Sequence, residues 1–124
     1  MTRSISLNGS WQLFHGPQLP GAPTTPAGFV AEKWPAIPAT VPGNVEIDLM
    51  AAGELPELSK GNNILLTREL ETHRWWYRRT FVSPAIEQGQ RVELVFEGID
   101  CLGTIFLNGV EIGRTENMLI ENRL

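Results

Sequence analysis

Between Arg74 and Met118 the apolar residues recur with a period of two, and that rhythm limits what the chain can become. Trp75, Tyr77, Arg79 and Phe81 would face one way, and Trp76, Arg78, Thr80 and Val82 the other. Val92, Leu94 and Phe96 then form an apolar face opposite Arg91, Glu93 and Glu97, as in a half-buried antiparallel strand. Leu102 to Leu107 is apolar on both faces, the pattern of a central strand covered on two sides. Asn108-Gly109 is the strongest hairpin signal, because both central positions of the tight turn need positive φ. Val110 to Arg114 returns, with Gly113 a bulge or a close-packing point. The expected class is all-β: consecutive antiparallel strands of a β-sandwich, with a sheet core over 74–124.

The remaining segments attach to that sheet. Ser10 to Phe14 alternates, with Trp11 and Leu13 opposite Gln12 and Phe14, and is the first expected strand. Seven of the nine prolines lie between Pro17 and Pro42. Proline removes ladder donors and biases its predecessor toward extended forms, so 15–43 reads as an irregular wrap. Phe29, Val30, Trp34, Ile37 and Val41 would pin it to the body, which favours an ordered wrap over disorder. A short helix is expected near 44–52, capped by Asn44, with Glu46 and Asp48 in its first turn and Gly53 as its stop. From Glu54 to His73 the pattern is a second loop region, with Ile64-Leu65-Leu66 a brief extended piece. Met118 to Leu124 begins another strand, and the sequence stops there as if cut.

Composition narrows the classes. At 124 residues the chain is expected to be one domain, 1–124, able to bury about two thirds of its unfolded surface. Hydrophobic content of 42% with 19% charged residues fits a soluble globular protein. A net charge of −4 with scattered basic residues gives no footprint for nucleic acid. No apolar run approaches the ~18 residues of a membrane helix, and no signal peptide opens the chain. As written, the chain is expected in the cytoplasm, with no membrane partner. Cys101 is the single cysteine, so no internal disulfide can form.

Four blocks carry a resemblance. They are Leu7-Asn-Gly-Ser-Trp11; Val41-Pro-Gly-Asn-Val-Glu-Ile-Asp-Leu49 with Ala52-Gly53; Trp75-Trp-Tyr-Arg-Arg-Thr-Phe81; and Val92 to Asp100 followed by Phe106-Leu-Asn-Gly109, Gly113 and Asn117-Met118. In this order they resemble the N-terminal, galactose-binding-like jelly roll of glycoside hydrolase family 2, the group of β-mannosidases, β-galactosidases, β-glucuronidases and exo-glucosaminidases. The helix block and the double tryptophan lean toward the β-mannosidase-like branch. The resemblance implies an incomplete sandwich that would continue into further strands, an immunoglobulin-like domain and a (β/α)8 barrel of about 250 residues. It also implies hydrolysis of O-glycosyl bonds by two barrel glutamates about 5 Å apart.

None of the 14 acidic residues matches the family's catalytic motifs, so no catalytic residue is expected in this chain. Glu93 and Glu97 read as a solvated strand face, and Glu69 and Glu71 likewise. Asp100 reads as a turn cap. His15 and His73 lack metal-ligand spacing, so neither a metal site nor a cofactor is expected. The candidate sugar contacts are Trp75, Trp76, Asn62 and Asn117. Adjacent strand residues face opposite ways, so one tryptophan is expected in the core and the other exposed or under a loop. Packing is favoured over sugar stacking for the tryptophans, and turn roles are favoured for the asparagines. The family's galactosidase-like members place an asparagine before this strand, whereas Glu71-Thr-His-Arg74 has none.

The leading expectation is a non-catalytic domain that shapes the sugar pocket of a missing barrel, inactive alone. Its partners are then carbohydrate through the parent enzyme and the downstream domains of the same polypeptide. The alternative is a free-standing carbohydrate-binding module or lectin. A third reading is a vestigial piece without function. An unpaired strand at 118–124 is expected to promote self-association.

Overall fold

The computed structural model describes residues 3–124, apart from the side chains of Val30, Ala31 and Glu32. Among the described residues there are seven strands, two short α-helices and one 3-10 helix, and the strand pairing is antiparallel. The chain folds into two compact units. One runs up to Pro23 and resumes over Phe29–Val82; the other takes Thr24–Gly28 and Ser83–Leu124.

The first unit is built on β1 (Gly9–Pro17), which lies between β2 (Ile37–Val41) and β3 (His73–Arg78). Trp11 pairs with Ala39 and Leu13 with Ile37 on one edge; Phe14 pairs with Trp76 and His15 with Trp75 on the other. A central strand with neighbours on both edges leaves few ladder groups unpaired. Leu13 is fully buried, and it meets Ile37, Ala39 and Leu49 in the core. Trp11, Val45, Leu55, Leu70 and Trp75 pack around this cluster, half-buried.

Leu49 reaches the core from α2 (Val45–Ala51). Asn44 caps the helix as expected: its backbone is extended and its side chain accepts from Ile47 N at 3.0 Å. Gly53 has φ +78, which suits glycine at a helix stop. Asp48 is buried, and its Oδ1 accepts from Thr40 N at 3.2 Å, tying the helix to β2.

The core therefore lies mainly in β1, β2 and α2, earlier in the chain than the stretch expected to hold it. The proline-rich segment also has more regular structure than expected. It contains the end of β1, helix α1 (Pro26–Glu32) and β2. Pro26 sits at the first helical position, where a missing N–H costs nothing, and Thr25 Oγ1 accepts from Gly28 N. In β2, Pro38 is at the sheet edge, where a lost donor is tolerated. Phe29, Ile37 and Val41 do attach the segment; Val30 lies outside the described side chains.

Residues 63–72 form a 3-10 helix, not an extended piece. Ile64, Leu65 and Leu66 find no strand to pair with and remain about half exposed. β3 stops at Arg78, short of the expected Val82. Beyond that point Arg79 leaves the ladder register, and its guanidinium donates to the Leu7 and Asn8 carbonyls at 2.5 and 2.8 Å.

In the second unit, β5 (Gly103–Leu107) and β6 (Val110–Thr115) make the expected hairpin. Asn108 and Gly109 have φ +50 and +82, the paired positive values that the turn requires. The register jumps from Ile105↔Gly113 to Phe106↔Glu111, so Ile112 is the extra residue of a bulge beside Gly113. Gly113 is also a close-packing point: a Cβ there would lie 2.5 Å from Leu124 Cδ2.

Three expectations fail in this unit. β5 has β6 as its one ladder neighbour, so it is no central strand, and Leu102 is 79% exposed. The strand expected over 91–97 shrinks to β4 (Val95–Phe96), because its partner β7 (Asn122–Arg123) is equally short. The C-terminal strand is not left unpaired: β7 pairs with β4, and Leu94 and Leu124 exchange N–H···O bonds of 2.8 and 3.0 Å. β1 with β2 and β5 with β6 pair as consecutive strands, whereas β3 pairs back to β1 and β4 pairs with β7.

Removing Leu49 from the core separates burial from mere apolarity. Leu49→Ala is expected to cost about 2–5 kcal/mol in urea denaturation. Ile47→Ala, on the same helix but 56% exposed, is expected to change stability by about 0.5 kcal/mol or less. Equal losses would contradict this placement of the core.

Candidate functional site

The two tryptophans expected to matter do face opposite sides of β3. Trp75 turns to the core cluster, and the His15 ring stacks on it with centroids 4.7 Å apart and planes 23° apart. Trp76 lies on the other side, stacked on Phe29 at 5.0 Å and 13°. Phe29 also takes Phe14 edge-on at 4.7 Å and Trp34 at 6.0 Å. β1, α1 and β3 thus bring Phe14, Phe29, Trp34 and Trp76 into one aromatic group. At its margin is a small cleft of about 160 Å³, lined by Phe14, Phe29, Lys33, Trp34 and Arg78.

The asparagines do not join it. Asn62 precedes the 3-10 helix and accepts from Leu65 N through its backbone carbonyl at 3.0 Å. Asn117 belongs to the second unit, where its Oδ1 accepts from Leu119 N at 2.9 Å in a local turn.

A broader groove of about 570 Å³ lies along β1 and the end of β3, lined by Ser10, Trp11, Gln12, Arg78, Arg79 and Thr80. Its groups are hydrogen-bond donors and acceptors beside an indole, a composition suited to polyhydroxylated ligands. Two of them are already committed: Arg79 to the Leu7 and Asn8 carbonyls, and the Trp11 indole N–H to Leu7 O at 2.7 Å. Arg78 lines both openings. Ser10, Trp11, Arg78, Arg79 and Thr80 lie in two of the four sequence blocks, but they converge only once β1 and β3 have paired.

The fold also joins three residues that lie far apart in sequence. His15 Nδ1 and His73 Nδ1 are 2.9 Å apart, and His15 Nε2 lies 3.0 Å from Glu54 Oε2. The two imidazole centroids are 5.2 Å apart, so the rings meet edge to edge through these nitrogens. Lone pairs aimed at one another along one line share a proton; they do not converge on a metal. Among the described residues, no group of three or more His, Cys, Asp or Glu side chains could hold a metal ion. Burial chiefly, and then the neighbouring His15, push the His73 pKa below its ordinary value, while Glu69 works in the opposite direction.

Three further carboxylates pair with guanidinium groups. Glu93 lies between Arg91 and Arg123, both at 3.2 Å; Glu111 holds Arg114 and Glu121 holds Arg123, each at 2.7 Å. Among the described residues, no helix is long and apolar enough to cross a membrane.

Comparison with known proteins covers most of the chain. Residues 23–124 match the family model described as glycosyl hydrolase 2 galactose-binding domain-like. A β-mannosidase B of Thermothelomyces thermophilus is 35% identical over 83 residues, which are 67% of this chain and 10% of that protein. A β-mannosidase B of Aspergillus clavatus is 36% identical over 93 residues, 75% of this chain and 11% of that protein. A β-mannosidase of Mus musculus is 33% identical over 116 residues, 93% of this chain and 12% of that protein. The chain thus spans about a tenth of the length of these relatives. No solved structure matches it.

Tyr77, the single tyrosine, offers a direct check on the β3 environment. Burial first, and then the charges of Asp48 and Glu46, push its phenol up to about 12. The folded state therefore holds this proton longer than the unfolded chain does. Its contribution to stability is full below about pH 10 and is lost as pH rises toward 12. Phenolate absorbance of the native protein is expected to rise near pH 12, and the urea midpoint to fall over that window less steeply in Tyr77→Phe. Ionisation of the native phenol at its ordinary value would contradict this.

Proposed function

Because the chain belongs to the glycosyl hydrolase 2 galactose-binding domain-like family, we propose that it is the non-catalytic N-terminal domain of a β-mannosidase-type glycosidase. In this role it shapes the sugar pocket of a barrel domain elsewhere in the same polypeptide. One observation carries the reading: most of the chain matches the family model, yet it accounts for only 10–12% of the similar β-mannosidases. Retaining glycoside hydrolysis needs two carboxyls about 5 Å apart across the bond, one proton donor and one nucleophile. Support comes from the acidic side chains described above, which are engaged as a helix tie, an imidazole partner and guanidinium partners.

Carbohydrate is then met through the parent enzyme. Within this chain, the groove of Ser10, Gln12, Arg78 and Thr80 is the stronger candidate wall for the pocket. Trp75 and Trp76 act as its foundations, and Asn62 and Asn117 as turn residues. The second unit leaves Leu102, Val110, Leu119 and Ile120 more than half exposed. Apolar surface of that kind is expected to be covered by the rest of the polypeptide. Without that cover, the single-neighbour strands β4 and β7 and these side chains favour self-association.

Four measurements test this. The purified chain is expected to give no turnover of an aryl β-D-mannoside. Mixed with a related β-mannosidase that lacks the matching segment, it is expected to restore activity. Turnover by the chain alone, abolished by one Glu→Gln substitution, would overturn the reading. Calorimetric binding of mannose or galactose by the isolated, monomeric chain would favour a free-standing carbohydrate-binding module. Sedimentation is expected to show a mass that rises with concentration; a monomer throughout would count against the covered surface.

A further inference from the structure

We propose that His15 and His73 form an acid-sensitive clasp that fastens the exit of the 3-10 helix to the end of β1, and that a second proton opens it. The geometry sets the rule. Glu54 is acceptor-only when ionised, so His15 Nε2 carries the proton between them. His15 Nδ1 is then a lone pair, and His73 Nδ1–H donates to it across 2.9 Å. One added proton still leaves a single N–H between the two Nδ1 atoms, so this bond stays in place. A second proton gives both rings an N–H at Nδ1, and two N–H groups then confront each other with like charges.

The charges facing the pair are Glu54, on the loop after α2, and Glu69, on the 3-10 helix. They favour different members. Glu54 holds His15, and Trp75 presents its ring face to the same imidazole. Glu69 offsets only part of what burial and His15 do to His73. His15 therefore stays seated and His73 gives way.

The consequences are local. His73 is the first residue of β3 and pairs with Pro17. Next to it, Gln18 N donates to Thr72 O at 2.9 Å. The 3-10 helix itself has no buried residue, so it depends on its ends and on the partial packing of Leu70. Loss of the clasp frees its C-terminal end and the segment carrying Ile64, Leu65 and Leu66. The sign follows from the lowered His73 pKa. The unfolded chain takes this proton more readily, so the stabilisation is full above about 6.5 and is lost as pH falls through the lower, folded-state value.

Hydrogen exchange of the intact chain at about pH 7.5 and about pH 5, corrected for intrinsic rates, tests the clasp. Protection at Gln18 and at Arg74 to Trp75 is expected to fall about ten-fold or more at the lower pH, while Leu13 and Leu49 hold theirs. His73→Gln keeps a donor for His15 and cannot take the proton, so its protection is expected to be equal at the two pH values. Equal protection in the parent chain, or the same loss in His73→Gln, would overturn the proposal. Should that variant not fold, ring NMR of the parent chain decides. Two separated titration steps are expected, and a single step at the ordinary histidine value would refute coupling.

Discussion

Everything in the first unit depends on β1 having a neighbour on each edge. One strand supplies Leu13 to the core, Phe14 to the aromatic group and His15 to the imidazole contact. Alternation makes this division automatic, since consecutive side chains leave the sheet on opposite faces. A one-residue slip of β1 would exchange the faces and bury Gln12 in place of Leu13. The register is held from both sides, by Ala39 and Ile37 of β2 and by Trp75 and Trp76 of β3.

The second unit is built differently. Two separate two-stranded ladders carry it, and Ile105 is its one buried large hydrophobic residue among those described. Isolated two-stranded ladders are marginal in water. Its sequence is nonetheless rich in strand-forming apolar residues, many of which stay at the surface. The chain belongs to a domain family and spans about a tenth of the length of its similar relatives.

Much of this was legible in the residues. Asn44 before a short amphipathic run, and Asn108-Gly109 between alternating strands, specify local backbone without tertiary help, and both form as read. The Trp75/Trp76 alternation likewise needed nothing beyond strand geometry. Partner choice was not legible. β3 runs beside β1, over fifty residues earlier, because Leu13 and Trp75 share a core; sequence adjacency carries no trace of that. Ile64 to Leu66 shows the converse failure: an apolar run promised a strand, and without a ladder partner it coiled into a 3-10 helix. The groove and the His15–His73–Glu54 contact were hidden for the same reason, since each assembles residues that no spacing rule connects.

A pocket wall of the kind proposed acts only beside a catalytic barrel. The mass of the native polypeptide that yields the peptides of this chain therefore speaks most directly to its role. If the chain is the N-terminal domain of a β-mannosidase-type enzyme, those peptides come from a polypeptide of which it forms 10–12%, and mannosidase activity migrates with that band. A native species of 13.8 kDa, without mannosidase activity in the same preparation, would contradict it.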